Sequence, residues 1–561
     1  MDIKEKNKLT DMGFAAALLA CVLFLIWKAP YGFHFLDEAY YLAIPYRMLQ
    51  GDKLVNDIWE LTQFSMLPTV PLVKIYLAIF GSTEGMVFRF RYIYLFFHSL
   101  FTLWIYASAR RSSKIAAAAA ALIYMLFSPL NVLNFSYNTY GIGFLTMSGF
   151  LLAYPRKERL EYPLSGFMFA LVVLCSPYTA IVYFAYSLKI LIFDGKEKRK
   201  KWLLFTSGTA AAAVGFLILL FANASLSELI LNLPYIFRDP THPIGSYGAR
   251  LAEMLKDLLL YRKPIGAVLL AEAAVAVIYS VDKKCREHRW MYCVAACAAA
   301  VFGIIYQMKT DHMINHAMVP VCYLGFAAYF MCKEKDTRLF GFVYISGGVY
   351  AASIYLSSDL GYSAMAGALS VCATASAVFI VKLSAELCAE GRRYGKISAA
   401  ALACVLLCQI GAQVWYRKNF SSCEYYNTAM MYETVDKSCG KGEKTSTDTL
   451  QYEYLQVYES SEKVRNAPGE NVLYFAKDCW LYLEDEKHCA SYSLWLQVGY
   501  TVEEAERLAA FWEINPEKKP DAIYISTEID AEKVIEILNT ENFPVEKNDR
   551  AYIMIREEKP E

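Results

Sequence analysis

Residues 397–415 read Ile397-Ser-Ala-Ala-Ala-Leu-Ala-Cys-Val-Leu-Leu-Cys-Gln-Ile-Gly-Ala-Gln-Val-Trp415, without one charged side chain. At about 1.5 Å of rise per residue, such a helix crosses a hydrocarbon core of roughly 30 Å. Directly after it the composition turns polar, so this stretch marks a boundary between two environments. Split after Trp415, the 561-residue chain has 38 Lys+Arg and 26 Asp+Glu before the boundary, and 17 and 29 after it. The parts carry +12 and −12 although the whole is neutral. That balance argues against a nucleic-acid partner. A hydrophobic content of 56% exceeds the about 45–50% of soluble domains, which excludes a purely aqueous protein. Of the 15 cysteines, 11 precede residue 416, mostly inside apolar runs, where free Cys acts as a small hydrophobe.

Working outward, thirteen apolar stretches of spanning character centre on 12–27, 92–109, 115–133, 139–154, 163–177, 178–193, 202–221, 265–281, 290–306, 315–331, 339–357, 364–383 and 397–415. The run 163–193 is nearly continuous, broken only by Ser176, Pro177 and Tyr178. Loop charge decides whether it counts once or twice. With Lys4, Lys6 and Lys8 inside, the basic loops at 110–114, 156–159, 196–201, 283–286, 333–338 and 392–396 all share that side only if 163–193 makes two short helices with a hairpin at Pro177. Residues 1–415 therefore form a multi-pass α-helical membrane domain of about 13 transmembrane helices, with a cytoplasmic N-terminus in the plasma membrane. Residues 416–561 form an extracytoplasmic α/β domain. The first span follows a basic segment as a signal peptide would, but its long core and the lack of a clear small-x-small site make it an uncleaved anchor.

Long outer loops carry function more often than short ones, and two stand out, 28–91 and 222–264. The first holds Asp37 and Glu38, then an amphipathic segment to Gln50, Gly51-Asp52 and an apolar segment near Pro68 to Phe80. Both segments read as helices lying in the interface, with the acid pair at the bilayer edge. Carboxylates at such a boundary are partly desolvated, which suits a general base. Asp37 is the candidate base. An equal reading makes Asp37-Glu38 a helix N-cap.

The order of an apolar first helix, Asp37-Glu38-x-x-Tyr41, Leu49 to Asp52, Pro71, Phe80-Gly81 and then Arg89 or Arg91 resembles glycosyltransferases of the C superfamily. These include protein O-mannosyltransferases and lipid A aminoarabinose transferases. By motif the likeness covers about 60 residues, and by topology most of the chain. It implies a sugar transferred from a polyprenyl-phosphate carrier to an acceptor on the outer face, with inversion, Asp37 as base, and Glu38 holding acceptor or metal. Tyr41 and Arg89 fall among the implied substrate contacts. Many members have a second acid between the third and fourth helices. Here residues 131–140 contain no carboxylate, and Asn134 or Asn138 is left to offer a neutral oxygen, or to cap a helix end.

A leaving phosphate needs positive charge or donors where negative charge grows. Arg262 is the first choice, since a guanidinium can engage two oxygens; its other role is anchoring the next helix at the headgroups. Lys263 and Lys309 accompany it. His312 and His316 share a face if helical, which would let both reach a phosphate or a divalent metal ion, the one cofactor the pattern admits. His242 has no assigned role. Glu272, the one acid deep in a span, is what a transporter would need; a cavity for the lipid carrier is the other place for it. A polytopic transporter or flippase for a lipid-linked glycan is therefore the competing function, and a non-catalytic scaffold a third. The acceptor is a lipid, protein or polysaccharide.

In the C-terminal part, Asn471–Phe475, Asp521–Ser526 and Ala551–Arg556 read as strands and Glu532–Leu538 as an amphipathic helix. The stretch 478–495 resembles the segment after the first strand in outer domains of related membrane transferases, which implies covering the active face or touching acceptor. Cys423 with Cys439, and Cys479 with Cys489, are potential pairs among three connectivities.

Overall fold

The computed structural model describes residues 3–33, 37–237, 246–281, 287–358, 360–421, 427–496, 501–539 and 543–556. His242 and Cys423 lie outside them. The chain opens with helix α1 (Ile3–Lys28), α2 (Asp37–Leu49), α3 (Val70–Phe80) and α4 (Met86–Ala109). Nine helices among the described residues are long and apolar enough to cross a membrane, which defines an α-helical membrane protein. They are Lys8–Lys28 within α1, α4, Lys198–Asn223, Lys263–Val281, Arg289–Thr310, Ile314–Met331, Thr337–Ser357, Ser370–Ala389 and Arg393–Asn419.

The other four expected spans are helical but fall short in length or apolarity. The stretch 115–133 stops at Met125, because Pro129 and the left-handed Leu130 and Asn131 turn the backbone out of helix. Helix Tyr137–Ala153 is short and rich in Thr, Ser and Gly. Helix Glu158–Cys175 begins on charged residues. Ser176 and Pro177 then break the chain before Ile181–Phe193, at the expected hairpin position. The expected span 364–383 sits later, at Ser370–Ala389, since a separate short helix, Tyr362–Ala368, takes its beginning.

Small residues let the helices approach closely, as membrane packing requires. A Cβ on Gly166 would stand 1.9 Å from the Phe205 carbonyl oxygen, and one on Gly208 1.8 Å from that of Pro163. Outward-facing apolar side chains such as Phe184 and Ile218 remain exposed, as expected where the solvent is lipid.

Beyond the last span lie strands β1 (Glu433–Thr434), β2 (Lys444–Thr445), β3 (Asn471–Phe475), β4 (His488–Cys489), β5 (Ala522–Ser526), β6 (Val545–Lys547) and β7 (Ala551–Ile555). The main sheet has the order β4-β3-β5-β7-β6, with β3 parallel to β4 and β5, and β7 antiparallel to β5 and β6. Every residue of β5 is buried, which fits a central strand covered on both faces. Cys439, Cys479 and Cys489 are separate buried thiols.

This C-terminal unit shares a core with the first loop. Val55 and Trp59, with Leu229 and Ile236, pack among Leu473, Phe475, Tyr492, Phe511 and Ile525. Trp59 stacks between Tyr235, at 4.3 Å, and Tyr492, at 5.2 Å between ring centres. Backbone bonds join the two parts: Gly32 donates to Lys444, Lys444 to Pro30, Gly85 to Ser438, Val87 to Cys439 and Trp59 to Tyr492. The composition break at residue 416 is therefore no gap in the packing.

Candidate functional site

Helix α2 begins on Asp37, so both acids occupy its first turn, where the helix dipole favours negative charge. Their surroundings differ. Glu38 is completely buried and its carboxylate accepts from Arg91 Nε at 3.1 Å and from Arg91 Nη2. Further Arg91 donors reach the carbonyls of Ala29, at 2.6 Å, and Gly32. Asn134 Nδ2 donates to the Glu38 carbonyl at 3.2 Å, and Asn134 Oδ1 accepts from the Phe135 amide at 2.8 Å. Glu38 is thus committed to Arg91, which corrects its expected contact with acceptor or metal. Arg89 turns elsewhere: it donates to the Tyr76 hydroxyl at 2.7 Å and the Glu84 carbonyl at 2.8 Å, with its guanidinium 4.4 Å from the Phe80 ring centre. The α4 stripe Val87, Phe90, Arg91, Tyr94, Leu95 and His98 faces the interior; Arg89 falls off it.

Asp37, half-buried, lies beneath the C-terminal unit. Its charge and that of Glu60 act on the Cys479 thiol, which burial already pushes up. Sequence reasoning missed Glu60. Its carboxylate accepts from the Tyr40 hydroxyl at 2.7 Å, Ser493 Oγ at 2.6 Å and the Leu494 amide at 2.8 Å. Burial nevertheless raises its pKa. Aromatic rings surround this region: Tyr40 stands 5.0 Å from Tyr41 and 5.9 Å from Trp495, and Tyr41 6.0 Å from Tyr137, centre to centre. Asn138 lies half-buried in the first turn of its helix, beside a capping box formed by Ser136 and Thr139.

Buried cations gather at the same end of the bundle. Lys28, Arg91 and Arg417 are all buried there, and Lys28 stands close enough to Arg91, Arg417 and Glu38 to feel their charges. Arg417 holds the turn before helix Tyr137–Ala153, donating to the Leu126 carbonyl at 3.2 Å, the Asn131 carbonyl at 3.0 Å and Ser128 Oγ at 2.6 Å. Asp52, from the Gly51-Asp52 motif, is buried between Arg47 and Lys518. It fastens the first loop to the C-terminal unit rather than facing a ligand.

The second cluster is internally paired. Arg262 forms an ion pair with Asp311 and donates to Gln307 Oε1 at 2.8 Å. Asp311 also meets His316 Nδ1 and accepts from the Met313 amide at 3.0 Å. Burial works to raise the Asp311 carboxyl, but His316, the Met313 amide and Arg262 together hold it below its ordinary value. His316 Nε2 meets Ser363 Oγ at 3.1 Å, so both imidazole nitrogens have protein partners. The helix begins only at Ile314, so His312 and His316 do not share the expected face; His312 packs 4.8 Å from the Phe420 ring instead. This pair does not fit a common cation. Among the described residues no three His, Cys, Asp or Glu side chains converge as a metal site. Lys263 and Lys309 are exposed.

No family model matches the chain, and no curated protein matches it. The class that fold and site define is an α-helical membrane protein whose first loop presents two acids beneath a C-terminal α/β unit.

Proposed function

We propose that the protein is a membrane glycosyltransferase that moves a sugar from a polyprenyl-phosphate donor to an acceptor on the outer face of the membrane, with inversion. The supporting observation is the unequal setting of two adjacent acids, Glu38 being locked by Arg91 while Asp37 stays half-buried at the junction of the two parts. Asp37 takes the proton of the acceptor hydroxyl; the acceptor oxygen bonds to the anomeric carbon as the carbon–oxygen bond to phosphate breaks, and polyprenyl phosphate leaves. Tyr40, Tyr41, Tyr137 and Trp495 offer ring faces against which a sugar packs, and the buried cations draw the phosphate toward this end. In this reading all thirteen helices cross, the N-terminus is cytoplasmic, and the acidic C-terminal unit is extracytoplasmic in the plasma membrane.

The test is transfer itself. Full-length protein in proteoliposomes, given a polyprenyl-phosphate-linked radiolabelled sugar and a panel of lipid, peptide and glycan acceptors, should release polyprenyl phosphate and label one acceptor. Movement of intact labelled donor across the bilayer without release would instead favour a flippase. One observation favours that second reading: Glu272 is buried in helix Lys263–Val281, with neither oxygen hydrogen-bonded among the described residues.

A further inference from the structure

The turn leading from β1 to β2 carries a second carboxylate to the Glu38–Arg91 pair. Glu443, directly before β2, is 0% exposed, and its Oε1 lies 3.2 Å from Arg91 Nη2. By distance this is an ion pair. Both N–H bonds of that nitrogen are already taken, by Glu38 and by the Gly32 carbonyl. Accordingly, neither Glu443 oxygen has a hydrogen bond among the described residues, and the bond directions outweigh the distance. Two carboxylates therefore face one guanidinium in a space closed to water, where an uncompensated charge is costly.

Glu443 cannot turn away cheaply. Its carbonyl accepts from the Val435 amide at 2.8 Å, the next amide donates to Pro30 at 2.6 Å, and the Lys444 carbonyl accepts from Gly32 at 2.8 Å. The groups facing it are Arg91 from α4, Glu38 from α2, Cys439 on its own turn and Tyr454. Lys28 of α1 acts on Arg91 and Glu38, and its Nζ donates to Thr428 Oγ1 at 2.8 Å. Burial pushes the Glu443 carboxyl well above the ordinary range; Arg91 draws it back, and the charge of Glu38 adds to the rise.

We propose that Glu443 is a proton-controlled positioning residue: neutral, it lets the turn between β1 and β2 close over the loop that presents Asp37, and ionised, it repels Glu38 and loosens that closure. The effect on catalysis rests on the base role proposed for Asp37; the closure does not.

The experiment follows full-length protein in lipid nanodiscs from neutral to alkaline pH, above the range in which the buried Asp478 carboxyl titrates. It records the unfolding midpoint and the exchange protection of the Lys444 amide, corrected for intrinsic exchange. Wild-type protein should lose midpoint and protection as pH rises, and Glu443→Gln should lose that slope. Glu38→Gln, which removes the repelling charge and frees Arg91 for Glu443, should shrink the slope as well. A slope kept by Glu443→Gln, or absent from the wild type, overturns the proposal. In the transfer assay, Glu443→Gln should lift the alkaline fall in kcat without moving KM for the polyprenyl-phosphate sugar. If the wild type transfers nothing, the function proposed for Asp37 fails, while midpoint and exchange still decide the role of Glu443.

Discussion

Ser493 Oγ donates to Glu60 Oε1 over 2.6 Å, joining positions 433 residues apart in the chain. With the Leu494 amide on the same oxygen, it sets the C-terminal unit over the loop that carries Asp37. A donor to a carboxylate contributes more than an ordinary hydrogen bond. Ser493→Ala should cost roughly 1.5–3 kcal/mol, seen as a lower unfolding midpoint in detergent, with protease cutting sooner around the β3–β4 connection. Unchanged midpoint and cutting would mean that this bond does not hold the two parts together.

Arg91 and Arg89 offer a paired comparison. Arg91→Ala leaves Glu38 as a buried charge without its partner, which should cost roughly 3–5 kcal/mol. Arg89→Ala removes two hydrogen bonds at a half-buried site, worth about 0.5–1.5 kcal/mol each. Thermal unfolding of both variants measures the difference, and equal effects would contradict the assignment of Arg91 as the partner of Glu38.

Helix Glu158–Cys175 touches helix Lys198–Asn223 backbone to backbone at Gly166 and Gly208. In Gly208→Ala the new methyl would meet the Pro163 carbonyl carbon at 2.6 Å and its oxygen at 1.8 Å, so the helices must part, at about 1–3 kcal/mol or more. Gly215→Ala, with open space around its Cβ position, is the control and should leave the unfolding midpoint unchanged.

Asp478 gives a pH dependence. Burial raises its carboxyl from 3.8 to about 6, against the Trp480 N–H and the Lys477 charge. Folding therefore favours the protonated form. Its contribution to stability is full below the unfolded value and is lost as pH rises through about 6. Asp478→Asn should flatten the unfolding midpoint between those two pH values, and an unaltered slope there would assign the dependence to another group.

Local signals were enough for much of the fold. The apolar runs in Asn471–Phe475 and before Ser526 mark β3 and β5, and Pro177 marks the break between two helices, because each rests on neighbours in the chain. The helix after Lys114 ends before its apolar run does: Pro129 is a local sign of the turn, but the left-handed Leu130 and Asn131 and the hold of the distant Arg417 on that turn are not legible in the run itself. The site divides in the same way. Asp37 and Glu38 stand out by spacing, but Glu60 and Glu443 gain their roles only from Ser493 and Arg91, far away in sequence. The stripe on α4 did carry a usable signal for Arg91 over Arg89. Asp311 lies next to His312 in sequence, yet the residue it holds is His316, because the chain turns before Ile314.

The base role of Asp37 is tested most directly by the turnover of Asp37→Asn beside wild-type protein, both inserted at equal density in proteoliposomes and given the polyprenyl-phosphate-linked sugar. Loss of a general base should lower kcat by about 10²–10⁴-fold, with an unfolding midpoint close to that of the wild type. Equal turnover in the two proteins would show that the proton of the acceptor leaves by another route and that Asp37 is only the first residue of a helix.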